Sequence, residues 1–284
     1  MILKRALSIL GLLIVLFIAL VIYNNHFSKL DAKGEVQRMY ANARMTSHDT
    51  ITADDLKKFP EPVRRYLQYS RIVGTPKLHM VRLKQQGQFQ IGPNRGWNDF
   101  EAVQYYTIDP PAFIWFAHIQ MYPGVWITVR DKYDNGKGNM LVKPLSTFTI
   151  ADAKGAEMDQ GAMLRYLSEI VWFPGAWLSS YLTWEAIDSS SVRVTMSYYD
   201  MKVSGELTFS SRGELVDFRT ERYRAVGDKF ELAPWVTPVL KYSEMNGVMI
   251  PSEGEAIWKL KDGDFSYIRL KVTEIDYNTP TLYE

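Results

Sequence analysis

Residues 157–177, EMDQGAMLRYLSEIVWFPGAW, decide how the rest of the chain is read. Met163, Leu164, Leu167, Ile170 and Val171 recur three and four apart, the spacing of one buried helical stripe. Asp159 is placed to cap this helix, with Met158 and Met163 in the staple positions around it. Arg165 and Glu169 stand four apart off that stripe, as an ion pair on an outer face would. Pro174-Gly175 stops the pattern.

On both sides of this helix the period drops to two. Segments 80–83, 88–91, 100–108, 113–119, 125–130, 140–142 and 147–151 read as strands before it, and 181–187, 192–198, 201–209, 215–222, 255–260 and 265–275 after it. The turn-rich IGPNRG (91–96) separates two of them. Asn135-Gly136, within DKYDNGKGN, is a strong hairpin signal. The stretch around Pro234-Trp235 and Pro238 reads as a loop, since proline is poorly tolerated inside a sheet. About ten to twelve antiparallel strands against one strong internal helix predict a mainly β fold with minor α: a large curved sheet or half-barrel packed on a central helix. Neither β–α–β alternation nor GxGxxG after a strand occurs, which argues against a dinucleotide fold.

The chain opens with MILKRALSILGLLIVLFIALVIYNNHF. From Ala6 to Tyr23 it carries no charge, and as a helix that run rises about 27 Å, close to the thickness of a bilayer core. It lacks the small-residue cleavage site of a signal peptide, and Tyr23 and Phe27 sit where interfacial anchors belong. The expectation is an uncleaved transmembrane anchor over 1–27, a segment that carries Lys4 and Arg5 and no acid. These charges keep the amino terminus cytoplasmic and put the body outside, in the periplasm of a two-membrane cell envelope. Residues 28–75 read as a helical stalk and lead-in. Val36, Met39, Tyr40 and Ala43 have helical spacing, Thr52 and Asp55 form a capping box, and Val63, Tyr66 and Leu67 follow Pro60 and Pro62. The β-rich domain then occupies 76–284.

Taking Lys4 and Arg5 from the 33 Lys and Arg leaves 31 bases against 32 acids in the body. So neutral a body has no field with which to hold a nucleic-acid backbone. The sequence has no cysteine, which excludes disulfides, thiolate catalysis and a lipid-modified cysteine. Its four histidines, at 26, 48, 79 and 118, are scattered, and no cofactor or metal is expected.

Candidate ligand contacts follow from the aromatic excess. Trp172, Phe173 and Trp177 either line an apolar cavity under the sheet or fill its core. Arg165 and Glu169 are placed to orient a head group, or serve only as a surface pair. His118, in FIWFAHIQM, lines a pocket or is a satisfied core histidine. On a strand through FRTERYRAV, Arg222 and Arg224 share a face and suit an acidic head group. Asp131, Asp134, Asn135 and Asn139 do not have calcium-loop spacing and read as a hairpin turn. Asp131, Glu157 and Asp159 are the carboxylates an acid–base pair would draw on.

Several long motifs carry a resemblance over about residues 60–278: PEPVRRYL, GQFQIGPNRGW, DPPAFIWFAHI, RDKYDNGKGNML, EMDQGAMLRYLSEIVWFPGAW, LTWEAID, FRTERYR, NGVMIPSEGEAIWKL and YIRLKVTEIDYN. With these the chain resembles an uncharacterised bacterial family of unknown function, many of whose members carry an amino-terminal membrane segment. The resemblance implies no catalytic residue. More distantly, the architecture is similar to that of periplasmic lipoprotein carriers, in which a curved sheet wraps over helices and holds acyl chains. The leading expectation is a membrane-anchored protein that binds a hydrophobic or amphiphilic ligand under its sheet. An envelope hydrolase using paired carboxylates and a structural or partner-binding module of an envelope complex stand beside it.

Overall fold

The first and last strands of the body zip two meanders into one sheet. The computed structural model describes residues 2–44, 49–93, 95–227 and 229–283, so His48 and Asn94 lie outside the described residues. The first meander is β1 (Met80–Phe89), β2 (Asn98–Thr107), β3 (Ala112–Tyr122), β4 (Val125–Asp134), β5 (Lys137–Pro144) and the short β6 (Ala151–Ala153). The second is β7 (Leu182–Ala186), β8 (Ser191–Tyr198), β9 (Met201–Phe209), β10 (Leu215–Val226), β11 (Lys229–Met245), β12 (Val248–Leu260) and β13 (Gly263–Tyr277). β1 pairs with β13, from Val81 opposite Tyr277 to Phe89 opposite Ile268, giving the 13-stranded order β6-β5-β4-β3-β2-β1-β13-β12-β11-β10-β9-β8-β7.

The chain crosses between the two free edges through α3 (Ala156–Glu169), which packs against β4 and β5 of one half and β9 and β10 of the other. The sheet curls around it far enough that Gly136, in the β4–β5 turn, lies against the ring of Tyr199 in the β8–β9 turn. Asn135 and Gly136 both have positive φ, +51° and +75°, as this tight hairpin requires. Gly138 sets the approach of α3 to β5. A Cβ there would lie 2.3 Å from the Met158 carbonyl oxygen, so only glycine lets the backbones meet.

α1 (Ile2–Ala41) is one continuous helix, long and apolar enough to cross a membrane. Of its apolar run only Val21 is buried. Further along, Val36, Met39 and Tyr40 pack on the outer face of the sheet against Met80, Tyr105, Ala112, Ile114 and Tyr283. The Tyr40 hydroxyl donates to the Val81 carbonyl at 3.1 Å. The lead-in also joins the fold. Thr52 and Asp55 cap each other reciprocally at 2.8 and 3.3 Å. Val63, Tyr66 and Leu67 of α2 (Glu61–Tyr69) then enter the same apolar core as the sheet.

Four local expectations are corrected. Segment 80–83 and the start of 88–91 fall in the single strand β1, which ends at Phe89 and has a bulge between Lys84 and Gln85. Its polar middle is tolerated because Gln85 turns inward and accepts a hydrogen bond from Trp115 Nε1 at 2.9 Å. Residues 147–150 are loop, and only Ala151–Ala153 pairs. The segment with Pro234 and Pro238 lies inside β11. β10 pairs with both prolines, while the ladder to β12 passes from Val236–Ile257 to Val239–Gly254 and skips Pro238, so its missing N–H breaks no bond there. Finally, Gly155 with φ +114° caps α3 and Asp159 does not, so the staple positions of Met158 and Met163 lapse with it. Asp159 is buried in the first turn instead, accepting from the Gly138 N–H at 2.8 Å and from Lys137 Nζ at 2.9 Å. The helix ends at Glu169, before Pro174, and continues as single-turn 3-10 helices over Ile170–Trp172 and Pro174–Leu178.

Candidate functional site

Beneath the sheet, one side of α3 is hollow. A cavity of about 660 Å³ lies between the inner faces of β3–β5, α3 and β10–β13. Strand alternation builds its walls: Trp115 and Ile119 from β3, Val129 and Asp131 from β4, Met140 and Val142 from β5. The far wall carries Trp235, Trp258 and Tyr267. Its size is that of an ordinary small-molecule site. A smaller space of about 310 Å³ between α1 and the outer face of β3–β5 is charged, with Glu35 facing Arg130 at 3.4 Å and Lys132 at 3.6 Å.

Two arginine-centred groups interrupt the apolar walls; Glu253 and Glu255 also line the far side, each already paired, Glu253 with Lys241 and Lys271 and Glu255 with Arg269. The first is a buried cluster on α3. Arg165 binds Asp131 through Nη1 at 2.7 Å and Glu169 through Nε at 2.8 Å. Glu169 Oε2 also accepts from Gln104 Nε2 at 2.8 Å and from the Tyr106 hydroxyl at 3.0 Å. The guanidinium lies over Phe113 and Trp115, at 5.0 and 4.8 Å from the ring centres. Burial disfavours the charge of Arg165, but Glu169 and Asp131 outweigh it and raise its pKa above the ordinary value. Burial likewise drives the Tyr106 hydroxyl well above its ordinary value, with Glu169 adding to the effect, so it remains a donor. The expectation of an outward-facing Arg165–Glu169 pair is therefore corrected. Asp131, distant in sequence, supplies the partner that makes burial affordable. Among the described residues, Asp131 Oδ1 and Gln85 Nε2, both on cavity-lining residues, are buried without a hydrogen-bond partner.

The second group is on β10. Arg222 Nε donates to the Gly161 carbonyl at 3.0 Å, and its guanidinium lies 4.7 Å from the ring centre of Trp235. Trp235 Nε1 in turn donates to the Tyr267 hydroxyl at 3.2 Å. Arg224 lines the same wall two residues on, and its Nε is buried without a partner among the described residues. Among the described residues neither arginine has a carboxylate within ion-pair distance, whereas Arg219 on the same strand pairs with Asp217 at 2.7 Å.

Of the residues singled out from the sequence, Asp131, Arg165, Glu169, Trp172, Arg222 and Arg224 meet at this cavity. Phe173 and Trp177 do not. Both are fully buried in the filled core on the other side, Trp177 between Tyr66 and Trp184, Phe173 against Tyr106. His118 is also elsewhere. Trp115, Ala117 and Ile119 take the inner positions of β3, so His118 faces outward and stacks on Trp126 at 5.3 Å. Of the carboxylates, Asp131 is held by Arg165 and Asp159 by Gly138 and Lys137, separate bonds rather than a shared acid–base site. The residues missed were Gln85, Trp115, Trp235, Trp258 and Tyr267. Trp235 and Trp258 are cross-strand partners, a signal hidden while the Trp235 segment read as a loop.

No curated protein matches the chain. Among solved structures it is similar to the LolA superfamily protein NE2245 from Nitrosomonas europaea, at 10% identity and a TM-score of 0.41, covering 81% of this chain and 95% of that one. It is also similar to a DUF1329 family protein from Desulfovibrio piger, at 8% identity and a TM-score of 0.40, covering 81% and 94%. The pattern that extends through the lead-in, both meanders and α3 matches one family across residues 49–270, and the chain belongs to the Family of unknown function (DUF6544).

Proposed function

We propose that this protein binds an amphiphile, with its apolar part in the cavity under the sheet and an anionic end at Arg222 and Arg224. On this reading α1 anchors the chain in the cytoplasmic membrane, Lys4 and Arg5 keep its start in the cytoplasm, and the body works outside. The observation that carries the reading is the pairing of an apolar cavity of about 660 Å³ with two arginines that lack carboxylate partners among the described residues. A chain of a dozen methylenes gains roughly 10 kcal/mol on burial at about 0.8 kcal/mol each. Ordering costs reduce that, and a charge-assisted contact to Arg222 adds about 1.5–3 kcal/mol. Arg165 and Glu169 have the opposite role: each is already matched, so the cluster keeps the polar floor rigid, and Asp131 Oδ1 and Gln85 Nε2 are the unpartnered atoms on lining residues beside it, among the described residues.

The test uses the tryptophans themselves. Trp115, Trp172, Trp235 and Trp258 line the cavity, and none lies in α1. The full chain in mild detergent is titrated with a brominated fatty acid, whose bromines quench indole fluorescence on contact. Saturable quenching is expected, reduced by the cavity-filling substitutions Val142→Phe and Thr237→Phe and weakened by Arg222→Ala. Quenching that does not saturate and ignores all three substitutions would sink the reading.

A further inference from the structure

α1 leaves the body beside the mouth of the cavity. Its buried end, at Val36–Tyr40, packs near the starts of β1 and β3. Toward its amino terminus the helix climbs the outer face past β4, where Glu35 meets Arg130. It reaches the β5–β6 loop, where Asn24 Nδ2 donates to Thr147 Oγ1 at 3.3 Å and Ser146 donates to Asn25 Oδ1 at 2.9 Å. Phe148 then stacks on Phe17, with ring centres 6.4 Å apart. Phe17 is inside the uncharged run, six residues before Tyr23, a rise of about 9 Å along the helix.

Strand register places other tips at this same sheet edge. β1 ends there at Phe89 and β2 begins at Asn98, β3 turns into β4 at Pro123-Gly124, and β12 turns into β13 at residues 261–262. The cavity is lined at this edge by Ile91, Pro93, Ile150 and Phe265, so its mouth opens among these tips. The tips are also apolar where water would otherwise meet them: Ile91 is 53% exposed, Tyr122 70%, Phe148 51% and Ile150 65%. Exposed Arg95, Lys229 and Lys261 flank them, with Asp262 in the last of these turns. Exposed apolar tips with cations among them, here alongside Asp262 and Asp264, are the composition of a surface that sits in a lipid interface.

The geometry points to a mouth docked on the bilayer that holds α1, with the 147–150 loop entering the acyl region. Lipid then passes between leaflet and cavity without crossing water, a tethered counterpart to a diffusing carrier. This inference rests on α1 being the membrane anchor, and it deepens the amphiphile reading by naming a membrane lipid as the ligand.

The absence of cysteine makes the test direct. Single substitutions Phe148→Cys, Ile150→Cys and Ile91→Cys, with Tyr199→Cys as the reference beside the opposite β4–β5 turn, carry a nitroxide in the full chain reconstituted into phosphatidylglycerol–phosphatidylethanolamine vesicles. Collision with oxygen relative to a water-soluble nickel chelate reads immersion. The expected ratio at Phe148 and Ile150 is several-fold above that at Tyr199, with Ile91 between them. Ratios at Phe148, Ile150 and Ile91 equal to that at Tyr199 overturn the docking. Because the labels report immersion whether or not the cavity is filled, a quenching failure with immersed labels condemns the amphiphile reading alone. Saturable quenching with all labels in water condemns the docking alone. A label on a misfolded variant is recognised by lost near-ultraviolet circular dichroism, and the two neighbouring loop sites serve as checks on each other.

Discussion

Trp172 and Trp177 stand in one aromatic segment and have opposite fates. Trp177 is fully buried, stacked on Tyr66 at 4.5 Å and Trp184 at 4.8 Å, and its Nε1 donates to the Ile170 carbonyl at 3.1 Å. Trp172 borders the cavity, so one flank of its segment meets empty space. The interior under the sheet is thus divided into a filled half, packed by α2 and the 3-10 turns, and a hollow half walled by β3–β5 and β10–β13. The filled half lets the sheet stay curved without collapsing onto the hollow one. A protein that needs an apolar cavity must obtain its stability elsewhere, since each void forfeits contacts that a packed core would make.

The largest expected effect breaks the filled half. Trp177→Ala removes a fully buried indole and is expected to cost about 3–5 kcal/mol, whereas Trp172→Ala costs about half that and enlarges the cavity. Denaturant unfolding of the two variants checks the ordering, and equal losses would erase the distinction between the halves.

The partition between them is the next target. Arg165→Met leaves Asp131 and Glu169 buried without their cation and is expected to cost on the order of 3 kcal/mol. Adding Asp131→Asn and Glu169→Gln to the same chain removes the stranded charges and is expected to recover most of that loss. A double-mutant cycle measured by thermal unfolding checks it; strict additivity would mean the three side chains act independently.

The smallest effect lies outside both halves. Burial on the outer face, with Lys29 nearby and against an opposing pull from Glu101, lowers the His118 pKa below its ordinary 6.5. The fold therefore favours the neutral ring. Its contribution is complete above about pH 6.5 and is lost as pH falls through the lowered folded value. Stability measured between about pH 5 and 7 should decline less steeply with acid in His118→Gln. An unchanged slope would assign the titration to another group.

The strands, the hairpin at Asn135-Gly136, the internal helix, if not its end at Glu169 short of Pro174, and the apolar start are legible because each is a local pattern. Period two, a turn dipeptide and a helical stripe are set by residues within a few positions of one another. The same locality explains the misreadings. Pro238 was judged without knowing that the neighbouring ladder skips it, and Asp159 was judged a cap without Gly138 in view. Spacing leaves Arg165 open between head-group contact and a surface pair, because its second carboxylate, Asp131, comes from another strand.

By itself, then, the sequence determined the fold class, the long apolar helix and the neutral, cysteine-free character of the body. Tertiary structure alone decided which aromatics border empty space and which fill it, and it alone brought Asp131 to Arg165. It also left Arg222 and Arg224 without carboxylate partners among the described residues, and set Phe148 against Phe17. The physical reason is that packing, ion pairing and vacancy belong to surfaces assembled from distant segments. Local spacing fixes which way a side chain points along its own element, and only the curled sheet fixes what it meets there.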